Sequence, residues 1–423
     1  MNSRSLTQGP IDLGTVQREL AAWLATFEQP LQRVLLIPPD GTRAHSMAGP
    51  ITNMLYHLLQ PAVVRILPAL GTHVPMTLEE KQRIFGADLP SEIYLDHHWR
   101  TDVETVGVVP ESVIHDVSGG LLDYSISVDI NRELIQGQYD LILSIGQVVP
   151  HEVVGMANYT KNVVVGCGGK DIIDKSHFLG AVYGMERMMG RDHSPVRQVF
   201  DYIEENFLAD LPLAYVLTVT QTKDQITTLQ GLFLGTERNV FTQAVARSQV
   251  CNLDLLKKPF QKVIVYLDPR EFRSTWLGNK AVYRTRMAMA DQGELVVLAP
   301  GVKSFGEDPE IDRLIRAFGY RTSQEILGFV ESKTELANNL SVAAHLIHGS
   351  SEGRFRITYA VEHLSEEEIR GVNYDYLPFA KAAERYSLAE LKEGYNSIRG
   401  EEVFYISNPA LGLWALQKDF CCD

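Results

Sequence analysis

Histidines and a lysine that follow short apolar runs are the first residues in this sequence that could do chemistry. His73 sits in Gly71-Thr72-His73-Val74-Pro75, where glycine and proline fix the backbone and leave the imidazole at the tip. His151 follows Pro150, Lys161 comes ten residues later, and His177 lies beyond the glycine-rich stretch Gly166-Cys167-Gly168-Gly169. Imidazole has the ordinary pKa best suited to proton transfer near neutral pH, and its neutral form is a metal ligand. A lysine amine can form covalent acyl-type links. Asp40-Gly41-Thr42-Arg43 gathers a carboxylate, a hydroxyl and a guanidinium ahead of a helix, a combination that suits a phosphate or carboxylate. Trp276-Leu277-Gly278-Asn279-Lys280 opens another helix and offers Lys280 as an anion clamp. Each feature alone also has an ordinary reading: a capped turn with a surface arginine, a polar loop histidine, a packed helical histidine, a solvated lysine. The glycine stretch is neither a GxGxxG fingerprint nor a Walker A loop. His345 and His348 are one helical turn apart but lack an HExxH frame, so they are read as structural or solvent-facing.

Elements must carry these loops, and the apolar pattern shows which. Residues 34–37, 63–70, 141–144 and 163–165 read as short buried strands, with helices at 16–27 and 51–59. Thr77 with Glu80 three residues on is a capping box that starts a further helix. The pattern restarts after residue 261, with strands at 263–267, 294–298 and 354–361 and helices at 275–289 and 311–318. Strands alternating with helices predict an α/β chain of two doubly wound, mostly parallel lobes with a cofactor and substrate cleft between them. The expected domains are 1–255, carrying the chemistry, and 256–404, closing the cleft, with the tail 405–423 packing back on the first. Ligands of such sheets bind at the carboxyl ends of the strands, which is where the polar loops fall.

Composition narrows the classes. The chain has 423 residues, 45% hydrophobic and 22% charged, which is ordinary globular usage. Its formal net charge of −14 disfavours general binding to nucleic acid or to an anionic membrane. No apolar run approaches the ~20 residues of a membrane-spanning helix. The opening residues lack the apolar stretch of a secretory signal. The four cysteines, Cys167, Cys251, Cys421 and Cys422, form no CxxC pair, and a reduced, cytoplasmic setting is expected. The adjacent Cys421-Cys422 is read as a tail without a chemical role.

Taken in order, the loops resemble the nickel-pincer nucleotide-dependent lactate racemase family. The match runs from about residue 33 to about 197 and returns more weakly between 262 and 301. It rests on Asp40-x-Thr42-Arg43, then Gly71-x-His73-x-Pro75, then His151, Lys161 and His177 at the family's intervals. The resemblance implies a cofactor, pyridinium-3,5-bisthiocarboxylic acid mononucleotide nickel, tethered covalently at Lys161, with His177 as the protein's nickel ligand. It implies His73 and His151 as paired acid/base residues, Asp40, Thr42 and Gly155 around the cofactor, and Arg43, Lys280 and Trp276 around the substrate. The implied activity is inversion of C2 in a 2-hydroxy acid by proton-coupled hydride transfer. Enzymes that make the cofactor are implied partners. Of the glycines that the family places before the tether lysine, only Gly155 is kept, and Leu277 stands where lactate enzymes carry glutamine. The expected substrate is therefore lactate-like or a longer aldonate, with Arg354, Arg356 and Tyr359 as candidates for a larger pocket. Two other readings stay open on residues alone, a nicotinamide-dependent oxidoreductase and a non-catalytic protein that binds a sugar acid or nucleotide. The missing GxGxxG counts against the first.

Overall fold

The computed structural model describes residues 3–223 and 226–420. Cys421 and Cys422 lie outside the described residues. The chain divides into two compact units, Met1–Leu179 with Met188–Asn252, and Gly180–Arg187 with Leu253–Asp423.

The first unit is built on a six-stranded mixed sheet in the order Arg4–Leu6, Ile226–Gly235, Leu213–Lys223, Leu141–Gln147, Arg33–Ile37, Val63–Ile66. The last four run parallel and the first two join antiparallel. Arg33–Ile37 and Leu141–Gln147 are nearly continuous apolar runs because both faces of a central parallel strand are covered. Leu213–Lys223 shows the two faces by alternation. Ala214 and Val216 pack into a core with Val16, Leu20 and Trp23 of the helix Leu13–Leu24. Tyr215, Leu217 and Val219 point the other way, into a core with Phe241 and Ala244 of the helix Arg238–Asn252.

The second unit holds a six-stranded sheet in the order Asp375–Pro378, Arg356–Val361, Met289–Ala299, Phe260–Tyr266, Glu401–Ile406, Gly394–Ile398. All pairs are parallel except the last. Both units are thus α/β with a parallel sheet centre, as the alternating pattern predicts. Among the described residues, no helix is long and apolar enough to cross a membrane.

Several expectations need correction. The expected strand at 163–165 is the end of a buried helix, Thr160–Val164. A short apolar run of this length has no period that separates the two states, and the turn ahead of it selects the helix. The helix expected at 275–289 is two short helices, Thr275–Gly278 and Lys280–Thr285, and Met289 already opens a strand. They meet at buried Asn279, whose Oδ1 accepts hydrogen bonds from the hydroxyls of Tyr359 and Tyr374. The chain passes between units at Asn252 rather than 255, and Gly180–Arg187 joins the second unit. The described part of the expected tail belongs to the second unit, where Trp414–Leu416 pairs in parallel with Asp254–Leu256.

Candidate functional site

Three neighbouring parallel strands of the first unit end in the loops that carry Asp40, His73 and His151. Asp40 caps the 3-10 turn Gly41–Ser46, with its Oδ1 accepting from the Thr42 amide at 3.1 Å and the Thr42 hydroxyl at 2.5 Å. Its other oxygen lies 2.6 Å from His73 Nδ1, although the two residues are 33 positions apart. Burial would raise the Asp40 carboxyl, but the bonds from His73 and Thr42 outweigh it and hold the group below the usual carboxylate range. Asp40 is therefore an anion, and His73 donates to it through Nδ1–H. In the neutral form of this exposed ring, that bond leaves the lone pair on Nε2. Gly71 adopts φ 57°, and its amide donates to the Gly166 carbonyl at 2.9 Å, which fastens the His73 loop to the glycine stretch.

His151 is buried in a two-residue hairpin, Pro150–His151 against Gly155–Met156. The Val153 amide donates to its Nδ1 at 3.1 Å. Burial holds His151 well below the ordinary imidazole value, with the charges of Lys161, Arg43 and His177 acting in the same direction. Glu152 opposes them, its carboxylate 3.9 Å from His151 Nδ1.

Lys161 lies in the helix Thr160–Val164, entered through two non-glycine residues in the left-handed region, Asn158 at φ 66° and Tyr159 at φ 59°. Such conformations cost roughly 1–3 kcal/mol each and persist only where the surroundings impose them. Here Arg197 imposes them. This fully buried guanidinium donates to Thr160 Oγ1 at 2.6 Å, the Met156 carbonyl at 2.9 Å and the Asn158 carbonyl at 3.2 Å. The Tyr159 ring is packed between Tyr215 and Phe241, at centroid distances of 4.1 and 5.1 Å. Asn162 ties the helix to the strand ends, donating to the Ile37 carbonyl at 2.9 Å and Ser144 Oγ at 3.2 Å. Burial and the charge of Arg43 lower the Lys161 amine to about 8.

His177 is half-buried on the helix Lys170–Tyr183. Its Nδ1–H donates to the Ile173 carbonyl at 2.5 Å, so Nε2 carries the donor lone pair. Burial and the Lys161 charge lower it to about 4, so the ring is neutral at physiological pH. Among the described residues, no three His, Cys, Asp or Glu side chains cluster to hold a metal ion. A metal at His177 would need donors from elsewhere.

The structure thus brings Asp40, Arg43, His73, His151, Lys161 and His177 into one electrostatically coupled group on the first unit. Two of the residues expected at the cofactor have local tasks. Thr42 donates its hydroxyl to Asp40. Gly155, at φ 87°, has no room for a ligand at its Cα, since a Cβ would lie 2.6 and 2.7 Å from the Arg191 and Met188 carbonyls. It shapes the His151 hairpin instead. Trp276 and Lys280 belong to the second unit, where Trp276 stacks on His345 at 4.1 Å and the Lys280 ammonium lies 5.9 Å from the Phe272 ring centre. His345 and His348 are both buried, which removes the solvent-facing reading. Tyr359 is core, and Arg354 is occupied by Asp291 and by the carbonyls of Arg286 and Met289, so neither lines a larger pocket. Arg356 is exposed and pairs with Glu294 at 3.5 Å. Glu152, Asn162 and Arg197 escape a reading by motif. Only Glu152 carries a sequence signal, its adjacency to His151.

The family described as the lactate racemase N-terminal domain matches residues 19–189, which span every member of the coupled group. Residues 19–189 are thus similar to the N-terminal domain of lactate racemases. Among solved structures, a Thermotoga maritima protein from a structural genomics consortium superposes with a TM-score of 0.82 at 21% identity, covering 97% of this chain and all of that one. The lactate racemase apoprotein of Thermoanaerobacterium thermosaccharolyticum superposes with a TM-score of 0.69 at 16% identity, covering 94% of this chain and 88% of its own. These likenesses show a shared fold. No curated protein matches the chain.

Proposed function

We propose that the chain is a racemase or epimerase of a 2-hydroxy acid, lactate-like or a longer aldonate, working with a nickel-pincer nucleotide. The observation that supports it is the coupled group itself: an amine lowered to about 8, a neutral imidazole with an available Nε2 lone pair, and two further histidines beyond the strands on either side of Arg33–Ile37. These side chains fit the group. Lys161 has the nucleophilic amine for a covalent link to a thio-acid arm. His177 offers one nitrogen donor to a metal whose other donors the cofactor brings. When bound, the group supplies a reversible acceptor for the hydride of C2.

The chain's own residues then bind, orient and handle protons. Arg43 binds the substrate carboxylate through its planar fork. Asp40 fixes the His73 ring, so that Nε2 receives the proton of the substrate hydroxyl and later returns it. His151 meets the same chemistry from a buried position. The resemblance adds Lys280 and Trp276 of the second unit as substrate contacts, which Lys280→Ala tests by a raised KM.

Expression alongside the enzymes that make the cofactor, followed by intact mass and nickel analysis, tests the reading. The expected result is an adduct of the cofactor's mass, absent from Lys161→Ala, and interconversion of 2-hydroxy acid stereoisomers with the C2 hydrogen largely kept in deuterated solvent. No adduct and no nickel would overturn it. Turnover that requires added nicotinamide cofactor would favour an oxidoreductase.

A further inference from the structure

Arg197, Asp201 and Glu204 lie at positions i, i+4 and i+7 of the helix Pro195–Phe207 and so share one face of it. That face meets the strained turn ahead of Lys161 in two places. Arg197 holds the Met156 and Asn158 carbonyls and the Thr160 hydroxyl. Glu204 holds Tyr159: the Tyr159 hydroxyl bonds to its carboxyl, and the Tyr215 hydroxyl donates to the same group. Burial pushes both phenols above their ordinary value, so each remains a donor. Glu204 is half-buried, and burial raises its carboxyl to about 7. Asp201 acts in the same direction, against the two phenols and Arg197. Asp201 itself accepts from Arg238 Nε at 3.2 Å. A carboxyl is a costly way to fill this space, since an apolar residue would lose no hydration. What the carboxyl adds is a fixed acceptor behind Tyr159.

Tyr159 has φ 59° and ψ −135°, which a residue other than glycine keeps only under constraint. Tyr215 and Phe241 flank its ring and oppose movement across the ring plane. They leave the ring free to slide within that plane, and the bond to Glu204 stops the slide. Resting on the functional reading above, we infer that Glu204 and Tyr159 are positioning residues for the tether. The Glu204 carboxyl, through the Tyr159 hydroxyl, sets where the Lys161 amine is held. Neither residue exchanges a proton in the reaction.

Trace acetylation of the cofactor-free protein across pH, read at Lys161 by peptide mass spectrometry, tests the inference. The wild-type midpoint should lie at about 8. Tyr159→Phe keeps the ring and loses only the bond. Release of the turn lets water reach the amine, so the midpoint should rise by about one pH unit or more, which is tenfold less neutral amine at pH ~7. Glu204→Leu and Glu204→Gln remove the same charge, and that loss alone would lower the midpoint. Only glutamine keeps an oxygen that accepts from Tyr159. The midpoint should therefore rise in the leucine variant and stay near the wild-type value in the glutamine variant. Folded Tyr159→Phe and Glu204→Leu proteins with the wild-type midpoint overturn the inference, as does a glutamine variant that shifts as far as leucine. Should Glu204→Leu not fold, Tyr159→Phe decides alone. In the loaded enzyme, Tyr159→Phe should lower kcat by roughly 10- to 10²-fold with KM kept, the scale of a misplaced reacting group. A raised KM with kcat kept also overturns it. The labelling needs no cofactor, so failure of the functional reading appears separately, as a missing adduct on wild-type Lys161.

Discussion

Lys161→Met should stabilise this protein. The native amine is lowered to about 8 from an ordinary value of 10.5, because its surroundings take it out of water beside Arg43. A tenfold change in a protonation equilibrium is worth roughly 1.4 kcal/mol. Keeping that amine charged at pH ~7 therefore costs the native state about 3 kcal/mol, an upper value because the side chain is only half-buried. Methionine fills similar space without the charge. The sign with pH follows from linkage. Between about 8 and 10.5 the unfolded chain holds a proton on this lysine that the native state has released, so wild-type stability rises with pH across that window. Below it, both states are protonated and the full penalty stands. Urea unfolding of cofactor-free wild type and Lys161→Met should therefore show a gap of up to about 3 kcal/mol near pH 7 that closes toward pH ~10.5. Titrating groups that Lys161 does not touch electrostatically cancel in the difference. The same lowered value leaves roughly a quarter of the amine neutral at pH ~7.5, against ~0.1% for an ordinary lysine. Trace acetylation read by peptide mass spectrometry should thus mark Lys161 far ahead of surface lysines. Equal stabilities at neutral pH, or a labelling midpoint near 10.5, would refute the reasoning.

Two further substitutions probe the supports of the site. Asp40→Asn removes the anion that holds His73, and turnover of the loaded enzyme should fall roughly 10²- to 10⁴-fold, as when a base loses its orienting carboxylate. Because the Asp40 carboxyl is held below the ordinary value of 3.8, its stabilisation is present above that pH and lost as pH falls through the native value. Acid unfolding of the Asn variant should accordingly be less steep. Gly155→Ala places a methyl group 2.6 Å from one carbonyl oxygen and 2.7 Å from another at a left-handed residue, and should cost about 2–4 kcal/mol in urea unfolding while displacing His151.

Apolar runs bounded by turn residues were enough to place most strands and the polar loops at their ends, because a buried parallel strand must be apolar on both faces. The capping box at Thr77 and Glu80 likewise forms as written, since its bonds lie within one turn. Asp40, His73 and His151 stood out for the same reason, as polar residues beyond apolar strands, whereas Lys161 and His177 lie within helices and were singled out by the family resemblance. What was not legible depends on contacts distant in sequence. The run at 163–165 became helix because Arg197, some 40 residues away, holds the left-handed turn ahead of it. The break at Asn279 depends on Tyr359 and Tyr374. The proton positions on the imidazoles were decided only in three dimensions. Sequence names a histidine, but which nitrogen of its neutral ring carries the hydrogen depends on what each nitrogen meets, here a carboxylate from another loop at His73 and a backbone amide in a buried hairpin at His151.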